Sequence, residues 1–216
     1  MNKLIFILLS AVSTFSNAQQ IEPKHTFNME LGLPNGMVNK PFKDIMQGLV
    51  AVAPYYQYTF KNTMAIAAGI KYCYFGVNQF RVPEKTLGGM HSAGSFIKIS
   101  REKFYTDRFS TDMGVKFGYT QNYFVTSKPL DTISTAKVTR QVNAVLIEPT
   151  IRLALVADDQ VSYSLIIGYA FQGFKFGNEM IGFDSMMGYS ESDYNRTTSF
   201  LTVGFGFTYY FKERNL

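Results

Sequence analysis

The chain has 216 residues, 46% of them hydrophobic, with one cysteine and a formal charge of +5. At this length a single all-β domain is expected. The lone thiol, Cys73, excludes an internal disulfide framework and a cysteine zinc cluster, and the scattered basic and acidic residues form no stripe for nucleic acid.

Lys3 precedes an apolar run from Leu4 to Leu9, and the following segment closes on Ser16-Asn17-Ala18. That order of charge, apolar run and small residues predicts a secretory signal over 1–18, cleaved after Ala18. The run is too short to span a membrane as a helix, and no cysteine follows the cut to carry a lipid anchor. The exported domain, 19–216, keeps a charge of about +4, because Lys3 is the charge removed.

No later stretch is apolar over the roughly 17–25 residues that a helical span needs. Instead, 20 Phe and 14 Tyr recur with period two, which is the spacing of strands. The first segment sets Phe27, Met29 and Leu31 against Asn28, Glu30 and Gly32, and the second places Val50, Val52, Pro54, Tyr56, Tyr58 and Phe60 on one face. In the third, Met64, Ile66, Ala68, Ile70, Tyr72 and Tyr74 oppose Ala65, Ala67, Gly69, Lys71 and Cys73. The fourth, about 93–105, is irregular, since the face of Ile97 and Ile99 goes on to carry Arg101 and Lys103. Met113, Val115, Phe117 and Tyr119 mark the fifth, and Val145, Ile147, Pro149, Ile151, Leu153 and Leu155 the sixth. The seventh runs from Val161 to Gln172, broken only by Ile166, and the eighth alternates from Leu201 to Phe211.

Tight turn chemistry follows segments two, four and six, at Lys61-Asn62, Thr106-Asp107-Arg108 and Asp158-Asp159. The other connections, about 34–47, 78–90, 126–140 and 175–196, are long and rich in Gly, Pro, Asn and Ser. Short and long connections in alternation predict a closed antiparallel up-and-down transmembrane β-barrel of eight strands, with chain ends and short turns on the periplasmic side. Closure is compelled, because unpaired backbone groups cost several kcal/mol each in hydrocarbon.

If the small or polar face lines the lumen, Glu30, Glu102, Asp112 and Glu148 meet Lys71, Lys98, Lys116 and Arg152 there, four acids with four bases. Eight strands enclose only enough room for side chains, so these charges are expected to pair as a plug and not to line a wide pore. Aromatics at strand ends suit interfacial girdles: Tyr58, Phe60, Tyr105, Phe109, Tyr209 and Phe211 at one end, Tyr72, Tyr74, Tyr123 and Tyr169 at the other.

The terminal Gly206-Phe207-Thr208-Tyr209-Tyr210-Phe211 resembles the C-terminal recognition signal of bacterial outer-membrane barrels, with Phe207, Tyr209 and Phe211 as its aromatic face. The whole exported chain is similar to the OmpA transmembrane domain and OmpX in strand number and loop plan, and to PorT-like barrels in its Tyr-rich strands. The resemblance implies insertion by the barrel-assembly machinery after the secretion translocon, and contact with outer-membrane lipids and lipopolysaccharide. Lys212-Glu213-Arg214-Asn215-Leu216 follows the aromatic that closes many such barrels, and cell-wall anchoring is not implied.

An enzymatic reading rests on His91 and Ser92 near the outer rim, where lipid-modifying hydrolases of this scaffold keep His and Ser. Adjacent strand residues face opposite ways, so the two form no base and nucleophile without a bulge, and His91 is expected in a solvated loop. His25 lies at the opposite end. No cofactor or metal is expected; Glu179, Asp184, Glu191 and Asp193 match no compact oxygen-ligand loop. The remaining reading is a structural or surface-binding role, with Met180, Phe183, Met186, Met187 and Tyr189 as the candidate contact loop. The competing view of that loop is a plain hairpin extension of strands seven and eight. A soluble secreted barrel that binds a ligand inside is the alternative at the level of fold, and it would reverse the two faces.

Overall fold

The computed structural model describes residues 24–82, 85–106, 108–129, 135–158, 160–183 and 188–211. The expected signal 1–18, its cleavage site, and Asp107, Asp159, Asp184, Met186 and Met187 lie outside the described residues. Eight strands follow one another in order: β1 (Lys24–Gly36), β2 (Met46–Thr59), β3 (Met64–Val77), β4 (Leu87–Thr106), β5 (Phe109–Pro129), β6 (Thr135–Val156), β7 (Val161–Lys175) and β8 (Thr197–Tyr210). Each pairs antiparallel with its sequence neighbours, and β8 closes on β1 from Thr26↔Tyr210 to Gly36↔Phe200.

The cylinder is staggered. A path through directly opposed residues from Lys24 runs through Thr59, Ala65, Ser100, Gly114, Thr150, Gly168 and Thr202 and returns to β1 at Pro34, ten residues further on. Such stagger accompanies the strand tilt of about 35–45° that closed barrels require.

The short connections keep their turn chemistry. Asn62 Oδ1 accepts the Met64 N–H at 3.2 Å, Thr106 Oγ1 accepts that of Phe109 at 3.0 Å, and Asp158 Oδ1 accepts those of Gln160 and Val161 at 2.8 Å each. Thr63 completes the first turn with φ of 68°, an uncommon conformation for a β-branched residue.

The strands are longer at the opposite end than the sequence indicates. β4 begins at Leu87, so His91 stands on a strand and not in a loop, and the β5–β6 ladder continues to Pro129↔Thr135. Residues 126–129 and 135–140 of the expected loop are therefore strand, helped by the β-branched Thr126, Thr135, Val138 and Thr139. The β6–β7 ladder ends at Leu146↔Gln172, so these strand ends stand beyond their neighbour. Irregularity in the fourth strand has a plain cause: Arg101 and Lys103 occupy the short-turn end of the outward face. There the Arg101 Nε donates to Thr63 Oγ1 at 3.0 Å and Lys103 lies 5.0 Å from the Tyr105 ring.

Two of the other long connections fold back over the barrel mouth. Helix α1 (Lys40–Ile45) buries Phe42 and Ile45, while the β7–β8 connection forms a 3-10 turn (Asn178–Ile181) and a short helix α2 (Glu191–Tyr194). It is not a hairpin extension: β7 stops at Lys175, and Phe176 and Ile181 are fully buried. Asn39 joins the two connections. Its Oδ1 caps α1 at the Phe42 N–H (2.9 Å) while its Nδ2 donates to the Arg196 carbonyl at 2.8 Å. Asn39→Ala is expected to lower stability by about 1–2 kcal/mol, read as a lower urea midpoint of unfolding, with the strands intact.

Candidate functional site

The polarity of the molecule is inverted relative to a water-soluble protein. Phe205 is 70% exposed, Leu155 62% and Ile70 61%, whereas Lys116 is 0% exposed and Lys98 and Asp112 are 1% each. In water this arrangement would expose a continuous apolar belt at a cost that a bilayer reverses, while the burial of charge is offset by pairing within the lumen.

Inside, the lumen is built in three storeys. At the short-turn end Thr26, Asn28, Gln57, Thr59, Ser110 and Thr208 face one another. The middle storey holds all eight charged residues singled out from the sequence, brought together as pairs. Lys71 meets Glu148 at 2.6 Å, Lys116 meets Glu30 at 2.5 Å and Lys98 meets Asp112 at 2.9 Å. Arg152 reaches both Glu102 (3.2 Å) and Asp112 (3.1 Å), and donates to Thr208 Oγ1 (2.8 Å) and Asn28 Oδ1. Gln57 and Thr59 complete the Glu102 carboxylate, at 3.3 and 3.0 Å.

Of these partners only Arg152 and Asp112 are directly opposed in a ladder. Lys116 lies directly opposite Glu148 on β6 and Lys98 on β4, yet its ammonium crosses the lumen to Glu30 on β1. The pairs consequently tie β1 to β5, β3 to β6 and β4 to β5 and β6.

Two aromatic residues that alternation alone did not single out serve this storey. The Tyr55 ring lies 5.1 Å from the Lys98 ammonium and 5.7 Å from that of Lys116, and Phe96 lies 5.1 Å from Lys116. Such contacts favour cations withdrawn from water. The signal was present in Tyr55-Tyr56: adjacent strand residues face opposite ways, so one tyrosine had to enter the lumen. Beside the network a cavity of about 20 Å³, lined by Glu30, Lys71, Glu148 and Thr202 among others, has room for about a single water.

The third storey, toward the long connections, is apolar. Phe75, Met90, Phe124 and Phe200 from the strands pack with Phe42, Ile45, Phe176 and Ile181 from the folded-back connections, Phe42 meeting Phe75 at a ring separation of 5.1 Å. The lumen is therefore filled by an apolar plug as well as by charges. Of the candidate contact residues, Phe183 is 6% exposed, and Met180 is partly buried against this cluster. Tyr189 is half-buried; its hydroxyl donates to Asp44 at 3.4 Å, and burial, with Asp44 beside it, pushes the phenol up to about 12.

At the rim, His91 points outward with Nδ1 2.8 Å from the Tyr72 hydroxyl and its ring 4.7 Å from that of Tyr74. Ser92 points inward, its Oγ accepting from Gln172 Nε2 at 3.1 Å, so His91 and Ser92 do not meet. His25 bonds the Tyr56 hydroxyl at the opposite end. Around it an aromatic belt continues through Tyr58 and Phe60 (4.8 Å) and Tyr209 and Phe211 (5.6 Å). Among the described residues no group of three or more His, Cys, Asp or Glu could hold a metal ion.

An antiparallel cylinder of eight strands with an apolar wall, aromatic ends and an ionic lumen has the architecture of the small bacterial outer-membrane β-barrels. No family model and no curated protein matches the sequence. Among solved structures, a major outer membrane protein from Thermus thermophilus is similar with a TM-score of 0.57 at 12% identity, over 88% of this chain and 99% of that one. Ail, the attachment invasion locus protein of Yersinia pestis, is similar with a TM-score of 0.51 at 10% identity, over 88% of this chain and 100% of that one. The same score and identity hold for Ail in complex with the heparin analogue sucrose octasulfate. At such identities the likeness is one of fold.

Proposed function

We propose that this chain is an exported, non-conducting barrel of a bacterial outer membrane with a structural or surface-binding role, its ends and short turns facing the periplasm. The observation that carries the reading is the inverted polarity: an apolar wall outside and paired charges within. The alternation of short and long connections supports the orientation. Residues 1–18 would direct passage through the secretion translocon, and the outward row Phe207, Tyr209 and Phe211 would serve recognition by the barrel-assembly machinery.

Ion pairs and the aromatic storey both argue for a closed lumen. Contact with the surroundings then falls less to Met180, Phe183 and Tyr189 than to the β5–β6 strand ends, which stand beyond β7 and carry exposed Lys137, Thr139, Arg140 and Gln141. Cations there and at Lys175 and Arg196 suit the phosphates of lipopolysaccharide, as the anionic heparin analogue suits Ail.

Cell fractionation with electrophoresis of boiled and unboiled protein tests the proposal. The expected result is recovery in the outer-membrane fraction and a mobility that changes on boiling. Recovery as soluble protein with unchanged mobility would overturn it and restore the ligand-binding barrel.

A further inference from the structure

The third storey is not wholly apolar. Gln172 on β7 reaches across the lumen and donates from Nε2 to Ser92 Oγ on β4 at 3.1 Å. Register adds two more polar side chains to this strut, since Asn122 on β5 lies opposite Ser92 and Thr198 on β8 lies opposite Gln172. On β4, β5 and β7 the strut stands one inward position nearer the barrel centre than Met90, Phe124 and Phe174. All four residues are at most 2% exposed. Yet Gln172 Oε1, Asn122 Oδ1 and Thr198 Oγ1 have no hydrogen-bond partner among the described residues.

The cover over this strut is joined to the wall mainly by apolar contact. Helix α1 has six residues, too few to hold a helix without packing, and with Phe176 and Ile181 it completes the aromatic storey from outside. Asn39 binds the two pieces to each other, donating from Nδ2 to the Phe176 carbonyl at 3.4 Å and the Arg196 carbonyl at 2.8 Å. Polar ties from the pieces to the wall include the Asn78 N–H on the Ile45 carbonyl (2.8 Å) and Thr126 Oγ1 on the Ile181 carbonyl (3.2 Å). Gly36 and Gly177 stand where the two connections leave β1 and β7, and glycine absorbs backbone rotation at small cost.

Two terms oppose each other at the mouth. Ring contacts of Phe42 with Phe75 (5.1 Å) and of Phe176 with Phe124 (5.8 Å) hold the cover down. Three buried polar atoms without partners favour its removal, because water would satisfy them. The pieces are tied to each other through Asn39, so they leave together. We propose that α1 and residues 176–181 form a lid that swings off the mouth as one unit and wets the strut, while the strands and the ion pairs stay in place. The ion pairs lie beneath, so the open lid uncovers a blind polar vestibule and no path across the barrel. A non-conducting barrel thereby has two states at its mouth, one apolar and sealed, the other polar and open.

Cys73 reports the motion. It is the chain's single cysteine, 1% exposed, and lies on β3 opposite Ser92. The folded protein in detergent micelles is treated with a small cationic methanethiosulfonate; mass spectrometry follows labelling, and circular dichroism follows the strands. Wild type is expected to label while the strand signal stays constant. Asn39→Ala unties the two pieces and is expected to label about tenfold faster. Asn122→Leu replaces an unpartnered amide with an apolar group of similar size, stabilises the closed lid, and is expected to label about tenfold more slowly. The second variant carries the test if the first does not fold. Labelling of wild type that only keeps pace with loss of the strand signal, or a rate unchanged from wild type in either folded variant, overturns the lid.

Discussion

Arg152→Met is expected to destabilise the barrel by about 3–5 kcal/mol, the usual consequence of removing one member of a buried ion pair. Arg152 is 3% exposed and serves four acceptors: Glu102, Thr208 and Asn28 across the lumen, and Asp112 on the neighbouring β5. Methionine preserves much of the stem and removes the guanidinium. Asp112 then keeps Lys98 at 2.9 Å, but Glu102 keeps only the neutral donors Gln57 and Thr59 among the described residues. Urea unfolding in lipid vesicles, followed by loss of the heat-shifted band, gives the magnitude. Adding Glu102→Gln to the variant is expected to recover part of the loss, because it discharges the stranded carboxylate. Unfolding of Arg152→Met at the wild-type urea concentration would show that the network does not hold the lumen together.

Phe205→Arg is expected to cost about 2–4 kcal/mol in the same assay. Phe205 is 70% exposed on β8, between Val203 and Phe207 in the middle of the apolar belt. For a soluble barrel, an arginine at so exposed a position would change stability by no more than about 0.5 kcal/mol. The two environments therefore predict clearly separated outcomes for one substitution. A near-neutral effect would return the outer wall to water and with it the ligand-binding alternative.

Much of this molecule was legible in the chain because a strand has period two. Phe27, Met29 and Leu31 had to share a face, and so did Asp112 and Lys116, whatever the rest of the chain did. Ile166 looked like an error in that pattern, yet it enters the lumen because glycines on β8 make space: it lies opposite Gly204, and a side chain at Gly206 would meet it at 2.7 Å. Small and large residues complement one another across the wall, and a single strand read alone does not reveal its neighbour. The connection 176–183 was only partly legible for a related reason. Met180 and Phe183 appear in a Gly-rich and acidic segment, as exposed loop apolars do. The apolar cavity that receives them exists only where Phe75, Phe124 and Phe200, on three separate strands, converge.

Alternation and turn chemistry by themselves determined the strand number, the closed antiparallel order and the membership of the two faces, since these follow from local backbone geometry and hydrogen-bond satisfaction. Tertiary structure alone decided which charges meet and what seals the mouth. Partners are set by the ten-residue stagger accumulated around the cylinder, which carries Lys116 away from the Glu148 beside it in the ladder and across to Glu30 on the far wall.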